Sequence, residues 1–403
     1  MSESAEMFRR TYAEINLDHL ISNWSEICSV ANDDRFICPM VKANGYGHGD
    51  IQIALALEKA GAESIGVCLI EEGLLLRAAG LQCEILVFRG FDKQGAEKIL
   101  EYQMTPVVST WEQLAYLEAV ADEPVKVHLK FNTGMNRIGF EVDQSEKLRD
   151  YFKKTKKLKL KALLTHFALG EDAHLSNGFS FHQTLQFEKA IDFFSGFDLH
   201  YHMLNSGGIA SLAKIKNENK NVTDHYLAKR KWGFRPGLML YGYQPSAEFS
   251  ETKIKPVMTL KSVVNNVRSI DVGESVSYGC TWKAKRRSQI AVVPIGYADG
   301  IHRLVSNRAH ALIAGNLAPI VGRICMDFLM LDVTDIVKKE TGTQWVEEEV
   351  VLFGYDDKNQ LLPANQLAEN SNTIVWETLT SVGERVPRHF KGSVHHNQGL
   401  IKS

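Results

Sequence analysis

Paired cysteines are missing from this 403-residue chain: its six, at positions 28, 38, 68, 83, 280 and 325, form no CxxC motif. Most lie inside apolar segments, as reduced core cysteines do, so neither a disulfide framework nor a zinc site is expected. Charge of one sign is missing too. A net charge of -2 leaves no basic footprint for nucleic acid. No run approaches the ~20 apolar residues of a membrane span, and the opening "MSESAEMFRR" lacks the apolar segment of a secretory signal. A cytoplasmic location is the expectation. No His/Asp/Glu group has recognisable metal-ligand spacing. What remains is the composition of an ordinary globular protein, 44% hydrophobic and 23% charged, long enough for about two domains.

From residue 36 onward, short apolar runs alternate with longer amphipathic ones. "RFICPMVKA", "ESIGVCL", "CEILVF", "MTPVVS", "VKVHLKF", "LKALLTHF", "YHMLN" and "KWGFR" read as strands, with helical stretches such as "DIQIALALEKAG" and "TWEQLAYLEAV" between them. Each connection is long enough for a crossover helix, so the pairing is parallel. About eight such units match a (β/α)8 TIM barrel, and an open doubly wound sheet is the competing arrangement. After "YGYQPSAEFSETK" the texture changes to strands joined by Gly, Asn and Asp turns, a mainly-β C-terminal domain. One helix, "PANQLAENSNTIVWETLTSVG", interrupts it. The expected division is a barrel over 1–248 and a β domain over 249–403, with the opening strand at 11–16 able to pair with either. Asp18 is a candidate N-cap for the helix after that strand.

Catalytic residues of a barrel belong at the C-terminal ends of its strands. Lys42 ends the first strand, Lys130 and then Arg137 follow the fifth, His166 ends "ALLTHF", Asn205 and Ser206 follow "YHML", and Arg235 ends "KWGFR". Singly, each has an ordinary reading: a solvated lysine, a structural histidine, a turn, a surface ion pair. Together on one rim they resemble a site for an anionic cofactor and a carboxylate substrate. A partly desolvated lysine can form a Schiff base with an aldehyde cofactor, of which pyridoxal phosphate is the common one. The glycines of "VKANGYGHG" let backbone and the Tyr46 hydroxyl approach a bulky group on Lys42. That stretch is neither GxGxxG nor GxxxxGK[ST], which disfavours a nucleotide loop. Ser206 and the amides after Arg235, at Gly237 and Leu238, are candidates to hold a phosphate.

With these residues in view, the chain resembles the alanine racemases, pyridoxal-phosphate enzymes built as a barrel plus a β domain. "VKANGYGHG", "KFNTGMNRIGF", "VSYGCTW", "PIGYADG", "GRICMD" and "RVPR" carry the likeness along nearly the whole sequence. The resemblance implies that Lys42 holds pyridoxal 5'-phosphate and is one catalytic base. Tyr278 is then the other, arriving from the second subunit of a homodimer. Two bases suit racemisation, which removes the α-proton from one face and returns one to the other. The likeness further implies that His166 packs by the cofactor ring and links to Arg235, which faces the pyridine nitrogen. Arg137 and Met326 help place the substrate carboxylate, with Lys130, Cys325 and Asp327 beside them. A guanidinium only donates, so it holds that nitrogen unprotonated and weakens the ring as an electron sink.

Two positions depart from the family pattern. Asn132 stands where the family usually has Asp, altering the charge around Lys130 and Arg137. Trp376 stands where it usually has a phosphate-binding tyrosine, and an indole donates a hydrogen bond but accepts none. The family's lysine at the place of Lys130 is often carbamylated. The implied function is interconversion of L- and D-alanine, supplying D-alanine for cell-wall peptidoglycan. The alternatives are a racemase of broader specificity toward serine, lysine or arginine, and a non-catalytic pyridoxal-phosphate carrier sharing the barrel alone.

Overall fold

The computed structural model describes residues 9–32, 34–218, 224–336 and 345–392. It resolves into two compact units. One comprises residues 19–45 and 50–255, the other residues 1–18, 46–49 and 256–403.

The first unit is a (β/α)8 barrel. Its parallel sheet runs in chain order through β2 (Ser64–Val67), β3 (Glu84–Val87), β4 (Thr105–Val108), β5 (Val125–Asn132), β7 (Leu158–Leu164), β8 (His200–Leu204) and β9 (Gly233–Phe234). β6 (Phe140–Glu141) is a short addition beside β5. Segment 36–41 closes the ring: Cys38 N donates to Phe234 O, and Val41 N donates to Gly66 O, both at 2.9 Å. β2 and β4 are buried at every position, which is why the barrel strands read as continuous apolar runs rather than alternating ones. Cys38, Leu86, Val107 and Leu164 pack as one cluster contributed by four strands. Amphipathic helices follow the strands. Asp92 and Thr110 cap two of them by accepting from Gly95 N and Gln113 N.

The second unit is mainly β. Its largest sheet runs from Asn316–Pro319 through His310–Ile313, Glu349–Tyr355, Met258–Val263 and β1 (Tyr12–Asn16) to Arg388–Lys391. β1 pairs antiparallel with Met258–Val263 and parallel with Arg388–Lys391. A three-stranded sheet of Asn266–Ile270, Ser288–Val293 and Leu329–Asp332 lies in the same unit.

Two local expectations need correction. The stretch from Pro363 is two short helices, Asn365–Asn370 and Val375–Thr380, because Asn372 takes φ 55° and no right-handed helix passes through it. Asp18 sits in the first turn of the helix Leu17–Ala31 rather than capping it. Among the described residues no helix is long and apolar enough to cross a membrane.

Candidate active site

Arg235 follows β9 and is only 4% exposed. Its Nη1 donates to His202 Nδ1 at 2.8 Å and to the His202 carbonyl at 2.7 Å. Nη2 donates to the Thr165 carbonyl at 2.6 Å and to His166 Nδ1 at 3.1 Å. A guanidinium has five N–H donors and no acceptor. Four are therefore spent, and the fifth, Nε–H, has no bonded acceptor among the described residues.

That geometry dictates the histidine protonation. Both imidazoles accept at Nδ1, so each carries its proton on Nε2. His202 passes its proton on to His128 Nδ1 at 3.1 Å. Burial, and after it the Arg235 cation, push His166 and His202 well below the ordinary histidine range. Burial, with His200 and Arg235, takes His128 down to about 3. All three rings are neutral at physiological pH. Burial lowers Arg235 itself, to about 10, which still leaves it protonated.

Lys130, on β5, is 6% exposed. Burial first, and then Arg235, Arg137 and Lys42, push its ammonium down to about 7. Four cationic side chains thus share one electrostatic neighbourhood at the strands' C-terminal ends. Arg137 is exposed in the loop after β5, and Lys42 is half-buried directly after Val41.

Asn132 has a different task from the one its charge implied. Its Nδ2 donates to Asn136 Oδ1 at 3.0 Å and to Glu141 Oε1 at 2.9 Å, while its Oδ1 accepts from Asn136 N at 2.9 Å. It organises the loop that carries Arg137.

After β8, Asn205 Oδ1 accepts from Gly208 N at 3.0 Å, at the start of the helix Ser206–Glu218. A Cβ on Gly207 would stand 2.8 Å from the Gly170 carbonyl carbon, so this glycine permits close backbone packing. Ser206 Oγ accepts from Gly237 N at 3.2 Å and from Met239 N at 3.3 Å. One hydroxyl thereby joins the loops after β8 and β9. Leu238 opens the 3-10 turn Leu238–Tyr241 and is buried.

The remaining sequence-predicted residues belong to the β unit. Tyr46 is buried there, and its carbonyl bonds His48 Nδ1 at 2.9 Å. A Cβ on Gly47 would stand 2.3 Å from the Leu379 carbonyl oxygen, so only glycine fits. Tyr278 is 69% exposed and Met326 52% exposed. Tyr278 sits in a turn in which Ser277, Gly279 and Cys280 have φ of 66°, 72° and 47°, so "ESVSYGC" is strand only over Ser275–Val276. Ser277 Oγ holds this turn to the Arg323 carbonyl at 2.6 Å and lies 3.4 Å from Cys325 Sγ. Asp327 pairs with Arg385 at 2.7 Å. Trp376 is half-buried in the helix Val375–Thr380.

Sequence reasoning missed Thr165, His202 and His128. The two-residue period of a strand was a usable signal: His128 shares a face with Lys130 two positions on.

Comparison with known proteins gives one consistent result. Residues 15–245 match the family model "Alanine racemase, N-terminal domain", and residues 257–390 match "Alanine racemase, C-terminal domain". An alanine racemase of Clostridium novyi (strain NT) is 35% identical over 390 residues, 95% of each chain. One from Carboxydothermus hydrogenoformans is 35% identical, covering 95% of this chain and all of its own. Among solved structures, alanine racemase from D-cycloserine producing Streptomyces lavendulae superposes with a TM-score of 0.84 at 28% identity, covering 97% of this chain and 100% of its own. Alanine racemase from Bartonella henselae with covalently bound pyridoxal phosphate gives 0.80 at 28%, covering 95% and 99%.

Proposed function

Since the chain belongs to the alanine racemase family, we propose that it interconverts L- and D-alanine with pyridoxal 5'-phosphate, Lys42 and Tyr278 serving as bases on opposite faces of Cα. Arg235 is the observation that carries this reading. Its four anchored N–H groups fix the guanidinium, and its remaining Nε–H is a donor that cannot be surrendered at neutral pH. That suits a pyridine nitrogen kept unprotonated.

The other residues fit the same cofactor. Lys42 offers the amine for its aldehyde, and the turn joined by Ser206, Gly237 and Leu238, with Asn205 capping the helix beside it, offers donors for its phosphate. The cofactor, when bound, draws off the electron pair left when the α-proton departs. The protein's part is to hold and move that proton. Lys130, Arg137 and Arg235 give that transfer a cationic setting beside Lys42. Arg137, with Met326, Lys130, Cys325 and Asp327, is read as receiving the substrate carboxylate. Neutral His166 packs beside the ring without adding a charge.

The reading extends to a homodimer in the cytoplasm with Tyr278 delivered across the interface, and to D-alanine supply for peptidoglycan. Support for the interface comes from the β unit. Tyr278 borders a groove of about 430 Å³ lined by Ile270, Val276, Ile290, Val292, Phe328 and Met330. Exposed Phe328 and Met326 lie close by in sequence. A carrier sharing the barrel alone would not need the second matched domain.

The test is a chiral assay of D-alanine formed from L-alanine by the purified protein with added pyridoxal phosphate, with serine, lysine and arginine compared. Rapid formation preferring alanine is expected. Cofactor binding without any racemisation would refute the reading.

A further inference from the structure

Directly after Lys42 the backbone runs the wrong way round. Ala43, Asn44 and Gly45 have φ/ψ of 54/54°, 53/49° and 59/44°, and Tyr46 follows at φ 53°. This is one turn of left-handed helix, closed by Gly45 N donating to Val41 O at 2.8 Å. Glycine tolerates that conformation, but each L-residue in it costs roughly 1–2 kcal/mol. Three of the four residues here, Ala43, Asn44 and Tyr46, are not glycine, so the turn needs a strong hold.

Glu72 provides one. It sits in the first turn of the helix Ile70–Ala78. Its Oε1 accepts from Ala43 N at 2.7 Å, while Oε2 accepts from Cys68 N at 2.8 Å and Leu69 N at 3.0 Å. One carboxylate thus ties the residue after Lys42 to the end of β2. Two of the bonds satisfy a helix start, as any capping glutamate would. The third serves no helix; it fixes the peptide that leaves Lys42. Charge-assisted bonds of this length are about twice as strong as neutral ones.

We propose that Glu72 is a positioning residue for Lys42, holding the left-handed turn so that the lysine leaves the barrel in a single direction. This rests on the reading of Lys42 as the cofactor-bearing base. Glutamine cannot replace it. With its oxygen toward Cys68 and Leu69, its NH2 would face the Ala43 N–H, donor against donor.

The test uses Glu72→Gln and Glu72→Ala as full-length enzymes loaded with pyridoxal phosphate. Enantiomers have equal free energy, so kcat/KM must fall equally in both directions, by roughly 10- to 100-fold for a displaced base. The discriminating readout is the primary isotope effect with Cα-deuterated L- and D-alanine. It should rise for the enantiomer whose proton Lys42 removes and fall toward unity for the other. Apoprotein melting temperatures accompany it. A rate loss with both isotope effects unchanged would assign Glu72 a structural role only, and unchanged rates would refute the proposal outright. Borohydride reduction and peptide mapping of the wild-type protein separate the premise. If the cofactor is fixed to a lysine other than Lys42, the underlying reading and this one fail together; fixed to Lys42, only the isotope effects decide.

Discussion

Replacing Lys130 by methionine in the apoprotein should stabilise it, by an amount that depends on pH in a defined sense. Lys130 is buried beside Arg235, Arg137 and Lys42, and its ammonium is pushed from 10.5 down to about 7. The unfolded chain keeps its proton up to the ordinary value, so between these limits the unfolded state binds more protons. Stability then rises with pH through that window, at about 1.4 kcal/mol per pH unit. Below the folded value the penalty is fully present, and it is relieved as pH climbs toward the unfolded value. Methionine fills a similar volume and carries no proton. The stability difference between variant and wild type should therefore shrink by about 2–3 kcal/mol between pH 7 and pH 9. Urea unfolding of both apoproteins in carbonate-free buffer measures it, and titrations common to the two chains cancel in the difference. A gap independent of pH would show that Lys130 is not destabilised by its surroundings. Adding bicarbonate gives a second arm, since carbamylation would turn the Lys130 cation into an anion among cations and should stabilise only the wild type.

Three further outcomes follow from the site. Asn132→Asp removes two donated bonds and sets a carboxylate against Glu141, so urea unfolding at neutral pH should show a loss of about 1–2 kcal/mol that narrows in acid as the carboxylates protonate; no loss would deny Asn132 its loop-organising role. Mixing Lys42→Ala and Tyr278→Phe proteins, each inactive alone, should recover about a quarter of wild-type racemisation, because half the dimers are mixed and each holds one intact site; no recovery after subunit exchange would place both bases in one chain. Trp376→Tyr should bind pyridoxal phosphate roughly tenfold more tightly, because a rotatable hydroxyl on a smaller ring can aim its donor at the charged phosphate better than a fixed indole N–H, and an unchanged dissociation constant by fluorescence titration would remove the tryptophan from the phosphate site.

The barrel was legible because its parallel strands are buried on both faces and so appear as unbroken apolar runs. Even β9, two residues long, was legible as the short apolar stretch "KWGFR" that completes the alternation of strands and helices. The break between the two late helices was not. Apolar residues continue through "LAENSNTIVW" at helical spacing, and the stop lies in the left-handed Asn372, whose Asn-Ser-Asn surroundings were the available signal. Asn132 was read through the charge it lacks, whereas its side chain acts through donors aimed at Asn136 and Glu141. The identity of Glu72's partner was beyond local pattern altogether. Two adjacent glutamates opening a helix look like ordinary first-turn acids, and nothing nearby says that one of them binds an amide 29 positions earlier.

The cluster of cations has a logic that neither the residues singly nor the fold alone conveys. Arginine cannot release its proton in physiological conditions, whereas lysine can. Burial first, and then the company of Arg235 and Arg137, therefore place the cost on Lys130, whose ammonium falls to about 7. The arginine at the centre, though burial lowers it to about 10, keeps its proton with carbonyls and neutral imidazoles accepting from it, and burial, then this cation, keeps those imidazoles neutral. On the proposed reading, the permanent charges of Arg235 and Arg137 thus stand where a ring nitrogen and a carboxylate are to be met. The proton this neighbourhood makes releasable is the one on Lys130, beside the amine proposed to exchange a proton with carbon.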